Sequence, residues 1–237
     1  MLVGIIGGAG VAATNKLCKL IENRYTLNGA FRDAHHPEMI IYQATQAPSR
    51  SMFLEGRGPS FIEDYITVGS KLKSIGAEIL CMNCNTAHYA IDDIQRGVGL
   101  PFINLIEEVV KRCKSIGKTN IGLVASDGCL MGKVYERYFS KIIPNANIIY
   151  PDDEVQKLVT KGICNIKNIH RFDTVSSQER PRNIFEKVRE HLADKGSETI
   201  VIGCTDIRVD YHSNRADVID SLEVLADAIV NLNDIKI

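Results

Sequence analysis

The feature that most constrains this chain occurs twice. Residues 77–91 read A-E-I-L-C-M-N-C-N-T-A-H-Y-A-I, and the apolar run over 79–82 predicts a buried strand that stops at Asn83-Cys84-Asn85-Thr86. Residues 198–205 read E-T-I-V-I-G-C-T, where a second apolar strand, over 199–202, also ends at a cysteine, Cys204, just before a break. Like turns in the two halves of a chain imply like lobes. Ligands of open parallel sheets bind beyond the carboxyl ends of the strands, and both cysteines fall there. Residues 87–96 read as a helix with Ala90, Ile91 and Ile94 on one face, so Cys84 is expected where strand gives way to helix. Free backbone N–H groups and the helix dipole favour negative charge at such a point, so a thiol there should ionise more readily than a free one.

The remaining pattern alternates in the same way. Strands are predicted over 2–6, 38–44, 120–125, 147–150 and 218–219. Helices are predicted over 11–27, 59–75, 105–115, 131–141, 152–167 and 182–193, with a last one from Ser221. Residues 43–53, with Pro48, Ser49 and Arg50, read as a polar loop. Strands alternating with helices mean parallel sheets with right-handed crossovers. The expected fold is α/β: two pseudo-symmetric lobes, each a parallel sheet of about four strands flanked by helices, with the active site in the cleft between them. We place the first lobe at 1–101 plus 217–237 and the second at 102–216.

Composition excludes several classes. Of 237 residues, 45% are hydrophobic, which suits a globular core rather than a disordered chain. A net charge of −1, no tryptophan and 6% aromatics argue against a nucleic-acid partner. No apolar run approaches a membrane span, and Met1-Leu2-Val3 opens a strand without a basic leader, so no membrane role and no secretory signal are expected. Seven cysteines, an odd number in a chain this long, fit free thiols in a reducing cytoplasm.

Other motifs weigh less. Gly8-x-Gly10-x-x-Ala13 follows a strand, but a dinucleotide site also needs an acidic residue ending the second strand, where this chain has Gln43 or Ala44. A tight turn beside a small-molecule site is the better reading. Cys81-x-x-Cys84 has the spacing of a redox pair or half a zinc site, yet nothing completes a tetrahedron, and Cys81 falls inside the apolar strand. His35-His36-Pro37 reads as a turn rather than a metal site, and no metal is expected. Cys18, Cys113, Cys129 and Cys164 read as structural, Asp206 as a cap, and Arg180 and Arg182 as a solvated face. His88 is balanced between orienting a substrate or tuning the thiol and simple helix packing.

Asn83-Cys84-Asn85-Thr86-Ala87-His88 together with Gly203-Cys204-Thr205-Asp206 resembles the aspartate/glutamate racemase family, in particular its aspartate racemase branch. The likeness runs nearly end to end, through residues 5–10, 36–37, 46–50, 106–108, 156–167 and 218–220. The resemblance implies a cofactor-independent isomerase in which Cys84 and Cys204 are the catalytic thiols on opposite faces of a substrate Cα. It implies that Asn85, Thr86 and Thr205 hold the α-carboxylate and that Arg50 and Lys167 hold the side-chain carboxylate. It also implies a small dicarboxylic amino acid, aspartate or glutamate, as substrate, and a homodimer. The family often has Gly-Gly-Met-Gly-Pro where this chain has residues 7–11, proline at Asn83 and glutamate at Asp206. These departures bear on substrate choice. Alternatives are a glutamate, hydantoin or broad-specificity amino-acid racemase or a maleate isomerase, then a non-enzymatic amino-acid-binding protein, then a C-x-x-C redox protein.

Overall fold

The computed structural model describes residues 1–232, and within them two halves of the chain repeat one topology. The first half runs β1 (Val3–Gly7), α1 (Val11–Leu27), β2 (Met39–Gln43), α2 (Arg50–Leu54), α3 (Ile62–Ser74), β3 (Ile79–Met82), α4 (Ile91–Val98) and β4 (Phe102–Ile103). After α5 (Leu105–Ile116) the second half runs β5 (Asn120–Val124), α6 (Asp127–Met131), α7 (Glu136–Ile142), β6 (Asn147–Ile149), α8 (Asp153–Ile166), α9 (Pro181–Asp194), β7 (Thr199–Ile202), β8 (Val218–Asp220) and α10 (Ser221–Val230). All strand pairs are parallel, and the orders β2-β1-β3-β4 and β6-β5-β7-β8 are the same permutation. This is the expected α/β architecture of two four-stranded sheets flanked by helices.

The permutation matters for the site. From the first strand of each sheet the chain moves to one side and then to the other, so a switch point lies between β1 and β3 and again between β5 and β7. Crevices open at the carboxyl ends of strands at such points. The central strands β1 and β7 are buried at every residue and, apart from Thr199, carry no polar side chain, as strands covered on both faces require.

One apolar core runs between the sheets. It joins Val3 and Ile5 of β1, Leu17 and Ile21 of α1, Val109 and Val110 of α5, Ile121 and Leu123 of β5, and Leu225 and Ile229 of α10. Helix α10 packs on both α1 and α5. Its start is set by Asp220, whose carboxylate accepts from the Leu222 and Glu223 N–H groups at 2.8 and 3.2 Å. Two further clusters cover the outer faces, one under α3 and α4 and one under α8 and α9.

Several expectations shift. Phe102–Ile103 pairs with β3 in the first sheet and Val218–Asp220 pairs with β7 in the second, so sheet membership differs from the lobe boundaries expected at 101/102 and 216/217. Residues 233–237, placed with the first lobe, lie outside the described residues. The stretch read as a loop around Arg50 contains the short helix α2, started by Ser49, whose hydroxyl accepts from the Met52 N–H at 3.3 Å. The single helix expected over 131–141 is two helices, broken where Lys133 takes a φ of 48°. Behind Cys84 stands a tight 3-10 turn, Thr86–Ala90, before α4, so the cysteine does not open an α-helix. Arg180 is not a solvated group: it forks onto Asp210, with contacts at 3.0 and 3.3 Å.

Candidate active site

The carboxyl ends of β3 and β7 deliver Cys84 and Cys204 to one cavity of about 230 Å³. Each cysteine is followed by a 3-10 turn, Thr86–Ala90 in the first half and Thr205–Val209 in the second. The opening N–H groups of such a turn have no carbonyl a turn behind them, so both turns present donors near the sulfurs. Ala9, after β1, and Ser126 with Asp127, after β5, complete the four strand ends around the cavity. At about 30 Å³ per water, the space holds roughly seven or eight waters, the scale of a small metabolite. Larger clefts, up to about 500 Å³ beside Arg112 and His212, contain neither cysteine.

The structure brings Arg50, Asn85, Thr86, Lys167 and Thr205 to the same cavity. Their side chains are not equally free. Asn85 donates through Nδ2 to Ser221 Oγ at 3.0 Å and accepts from Tyr135 Oη at 2.6 Å, so its amide is already engaged with the second half. Thr205 donates from Oγ1 to the Asn83 carbonyl at 2.6 Å. Thr86 meets Ser126 Oγ at 3.1 Å. These four bonds stitch the cysteine turn of each half to the other half.

The charges are arranged asymmetrically. Arg50 donates through Nη1 to the Pro48 carbonyl at 2.8 Å and lies 5.9 Å from the Tyr65 ring centroid. Burial works to lower its pKa, but the negative groups around it, led by Cys84, raise it on balance. Lys167, at the carboxyl end of α8, pairs with Asp206 Oδ2 at 3.0 Å. Asp206 is 4% exposed, and burial raises its pKa against the pull of Lys167 and Arg50. The Cys204 thiol is pushed up, first by burial and then by the neighbouring Asp206 charge; ionisation of Cys84 pushes it further. The two sulfurs feel each other's charge, with Arg50 beside Cys84 and the Asp206–Lys167 pair beside Cys204.

His88 resolves toward structure. Its ring is 1% exposed and accepts at Nε2 from the Leu105 N–H at 3.1 Å, which leaves Nδ1 to donate to the Cys84 carbonyl at 2.8 Å. Burial holds its pKa down at about 4, so the ring is neutral and props the cysteine turn from behind. Cys81 is fully buried and its thiol is pushed up to about 12 by burial, as suits a small core residue. His35 and His36 each pack on an aromatic ring, Phe31 and Tyr25.

Some lining residues were not singled out by sequence reasoning. Cys164, read as structural, is exposed and lines the cavity. Glu55 and Arg57 form an ion pair at the rim. Asp127 accepts from Gln156 Nε2 and from Thr160 Oγ1, each at 2.7 Å. The internal repeat is the signal that finds Ser126 and Asp127, since they follow β5 as Ala9 and Gly10 follow β1. Helix α6, which carries Asp127, packs on α2 of the other half at Gly128: a Cβ there would lie 2.5 Å from Ser51 Cα.

The family model described as Asp/Glu/Hydantoin racemase matches residues 3–229. The broad specificity amino-acid racemase of Bacillus subtilis (strain 168) is 23% identical over 235 residues, 97% of each chain. The solved aspartate racemase of Picrophilus torridus is similar at 26% identity and a TM-score of 0.80, over 98% of this chain and 93% of that one. An aspartate racemase homologue from Pyrococcus horikoshii OT3 shares the fold, with a TM-score of 0.67 and 23% identity over 97% of both chains.

Proposed function

The chain belongs to the Asp/Glu/hydantoin racemase family of isomerases, and on that premise we propose that it racemises aspartate by two-base proton transfer at Cα, using Cys84 and Cys204. The observation that carries this reading is the meeting of both cysteines, from matching turns, in one small cavity that also contains Arg50 and Lys167.

The chemistry follows from the charge asymmetry. One base must begin ionised and the other protonated. Burial and Asp206 favour the protonated form of Cys204, so in this reading Cys84, beside the Arg50 cation, takes the first proton and Cys204 returns one. The Cys84 sulfur removes the Cα proton, leaving the electron pair on Cα and the attached carboxylate. The Cys204 thiol then delivers its proton to the opposite face and becomes the thiolate, and the reverse reaction uses the two in exchanged roles. Charge growing on the α-carboxylate is met by the N–H groups opening the two 3-10 turns and by the hydroxyl of Thr86, while Thr205, whose hydroxyl is given to the Asn83 carbonyl, contributes through its backbone. Asn85 contributes through its backbone, because its side-chain amide is held by Tyr135 and Ser221. Arg50 offers a fork for a carboxylate.

One observation favours a broader substrate range. The cavity's other cations are matched by anions: Arg57 by Glu55 and Lys167 by Asp206. That leaves Arg50 alone for a side-chain carboxylate and lowers the premium on dicarboxylic substrates, in line with the Bacillus subtilis relative. Loss of optical rotation from L-aspartate, L-glutamate and a panel of neutral and basic amino acids separates the readings. Aspartate preferred by kcat/KM supports the first, comparable rates across the panel support the second, and no turnover of any member defeats both.

A further inference from the structure

Two polar atoms of cavity-lining residues are buried without a hydrogen-bond partner, and they are of opposite kind: Arg50 Nε, a donor, and Asp206 Oδ1, an acceptor. An orphaned buried group costs free energy and asks for a partner. Such a pair in one cavity points to a ligand that carries both an acceptor and a donor.

The acceptor is held rigidly. Asp206 Oδ2 is bonded to Lys167 at 3.0 Å, which leaves Oδ1 for something else. The strand-to-helix turn after β1 makes room for it: a Cβ on Gly10 would fall 1.8 Å from Oδ1 and 2.8 Å from Cγ. The φ of Gly10 is 171°, extended backbone that any residue adopts. Glycine is therefore required for the space this carboxylate occupies, not for an unusual dihedral. The first half of the chain thus seats a side chain from the second, two residues past Cys204.

We infer that Asp206 Oδ1 receives the α-ammonium group of the bound amino acid while Arg50 takes a carboxylate; this rests on the amino-acid reading above. The carboxylates of an amino acid only accept hydrogen bonds, and the α-ammonium is the donor every free amino acid carries. An anion fixed beside the second cysteine turn anchors that group and so holds Cα, one bond away, near Cys204. This makes Asp206 a binding residue to which a substrate lacking the amino group is blind.

The test compares L-aspartate with succinate, its des-amino counterpart, by calorimetric titration of the wild-type enzyme, Asp206→Asn and Gly10→Ala. Should the chain prefer neutral amino acids, L-alanine and propionate form the same pair. Asp206→Asn removes the charge, while Gly10→Ala keeps it but crowds the carboxylate out of place. Each variant is expected to bind the amino acid about 10-fold or more weakly, the scale of a hydrogen bond to a charged group, with the des-amino acid unchanged or tighter because Lys167 is released. If Asp206→Asn does not fold, Gly10→Ala decides alone. Equal weakening of both ligands, or undiminished amino-acid affinity, overturns the inference. A wild-type enzyme that binds no amino acid removes the premise and the inference together.

Discussion

Thr205 donates its hydroxyl to the Asn83 carbonyl at 2.6 Å, a buried bond between the neighbours of Cys204 and Cys84. It runs from the turn after β7 to the turn after β3, so the two cysteine turns are tied directly and not only through the shared apolar core. Asn85, bonded to Tyr135 and Ser221, and Thr86, bonded to Ser126, reinforce the same seam. The proposed two-base reaction needs two sulfurs held on opposite sides of one carbon, and such a seam would fix them there.

Thr205→Val keeps the shape and leaves the Asn83 carbonyl buried without its donor. The expected cost is about 1–3 kcal/mol in urea unfolding, with a fall in kcat larger than the change in KM. Thr205→Ser should restore most of both. A valine variant as stable and active as the wild type would remove the seam from the account.

Arg50 faces both the cavity and Cys84, so its loss should register in two ways. Arg50→Ala should lower kcat/KM for aspartate by roughly 10- to 150-fold beyond any loss on alanine, the span of one to two charge-assisted hydrogen bonds. Arg50→Lys keeps the charge without the fork and should recover only part of that difference. Equal losses on aspartate and alanine would take Arg50 out of side-chain recognition.

Stability should depend on pH through two buried groups of opposite sign. His88 falls from 6.5 to about 4 on folding, so its contribution is present above pH 6.5 and is lost as pH drops toward 4. Asp220 rises from 3.8 to about 7 because burial outweighs Arg208, so its contribution is present below pH 3.8 and is lost as pH climbs toward 7. The slopes oppose each other across nearly the same interval, and urea midpoints of the wild type should change little from these two groups there. His88→Gln should expose the Asp220 slope, gaining on the order of 2 kcal/mol as pH falls from about 6.5 to 4, relative to the wild type. Parallel pH profiles for the two proteins would contradict this.

The twinned strand-and-cysteine pattern made the two-sheet architecture legible, because fully buried parallel strands advertise themselves as apolar runs and both ended at a thiol. Arg50, Lys167, Thr86 and Thr205 could be named from motif resemblance. What escaped has physical causes. Strand β4 is two residues long and exists through pairing with β3, which leaves no periodicity to read. The turn behind Cys84 reads as helical in either form, and only its hydrogen bonds distinguish a 3-10 turn from an α-helix. Helix α2 is a five-residue element whose packing on α6 stabilises it, and no local pattern reports that partner. Asp206 reads as a cap because the groups that seat its carboxylate, Lys167 and Gly10, are distant in sequence, Gly10 by nearly two hundred positions.

Racemisation by two thiols is put to the test by proton NMR of L- and D-aspartate incubated in D₂O with the wild type, Cys84→Ala and Cys204→Ala. The wild type should exchange the Cα proton for deuterium as it racemises either enantiomer, and each variant, folded by circular dichroism, should produce no racemate. Racemisation that persists in either cysteine variant at a rate near that of the wild type would contradict the two-thiol account.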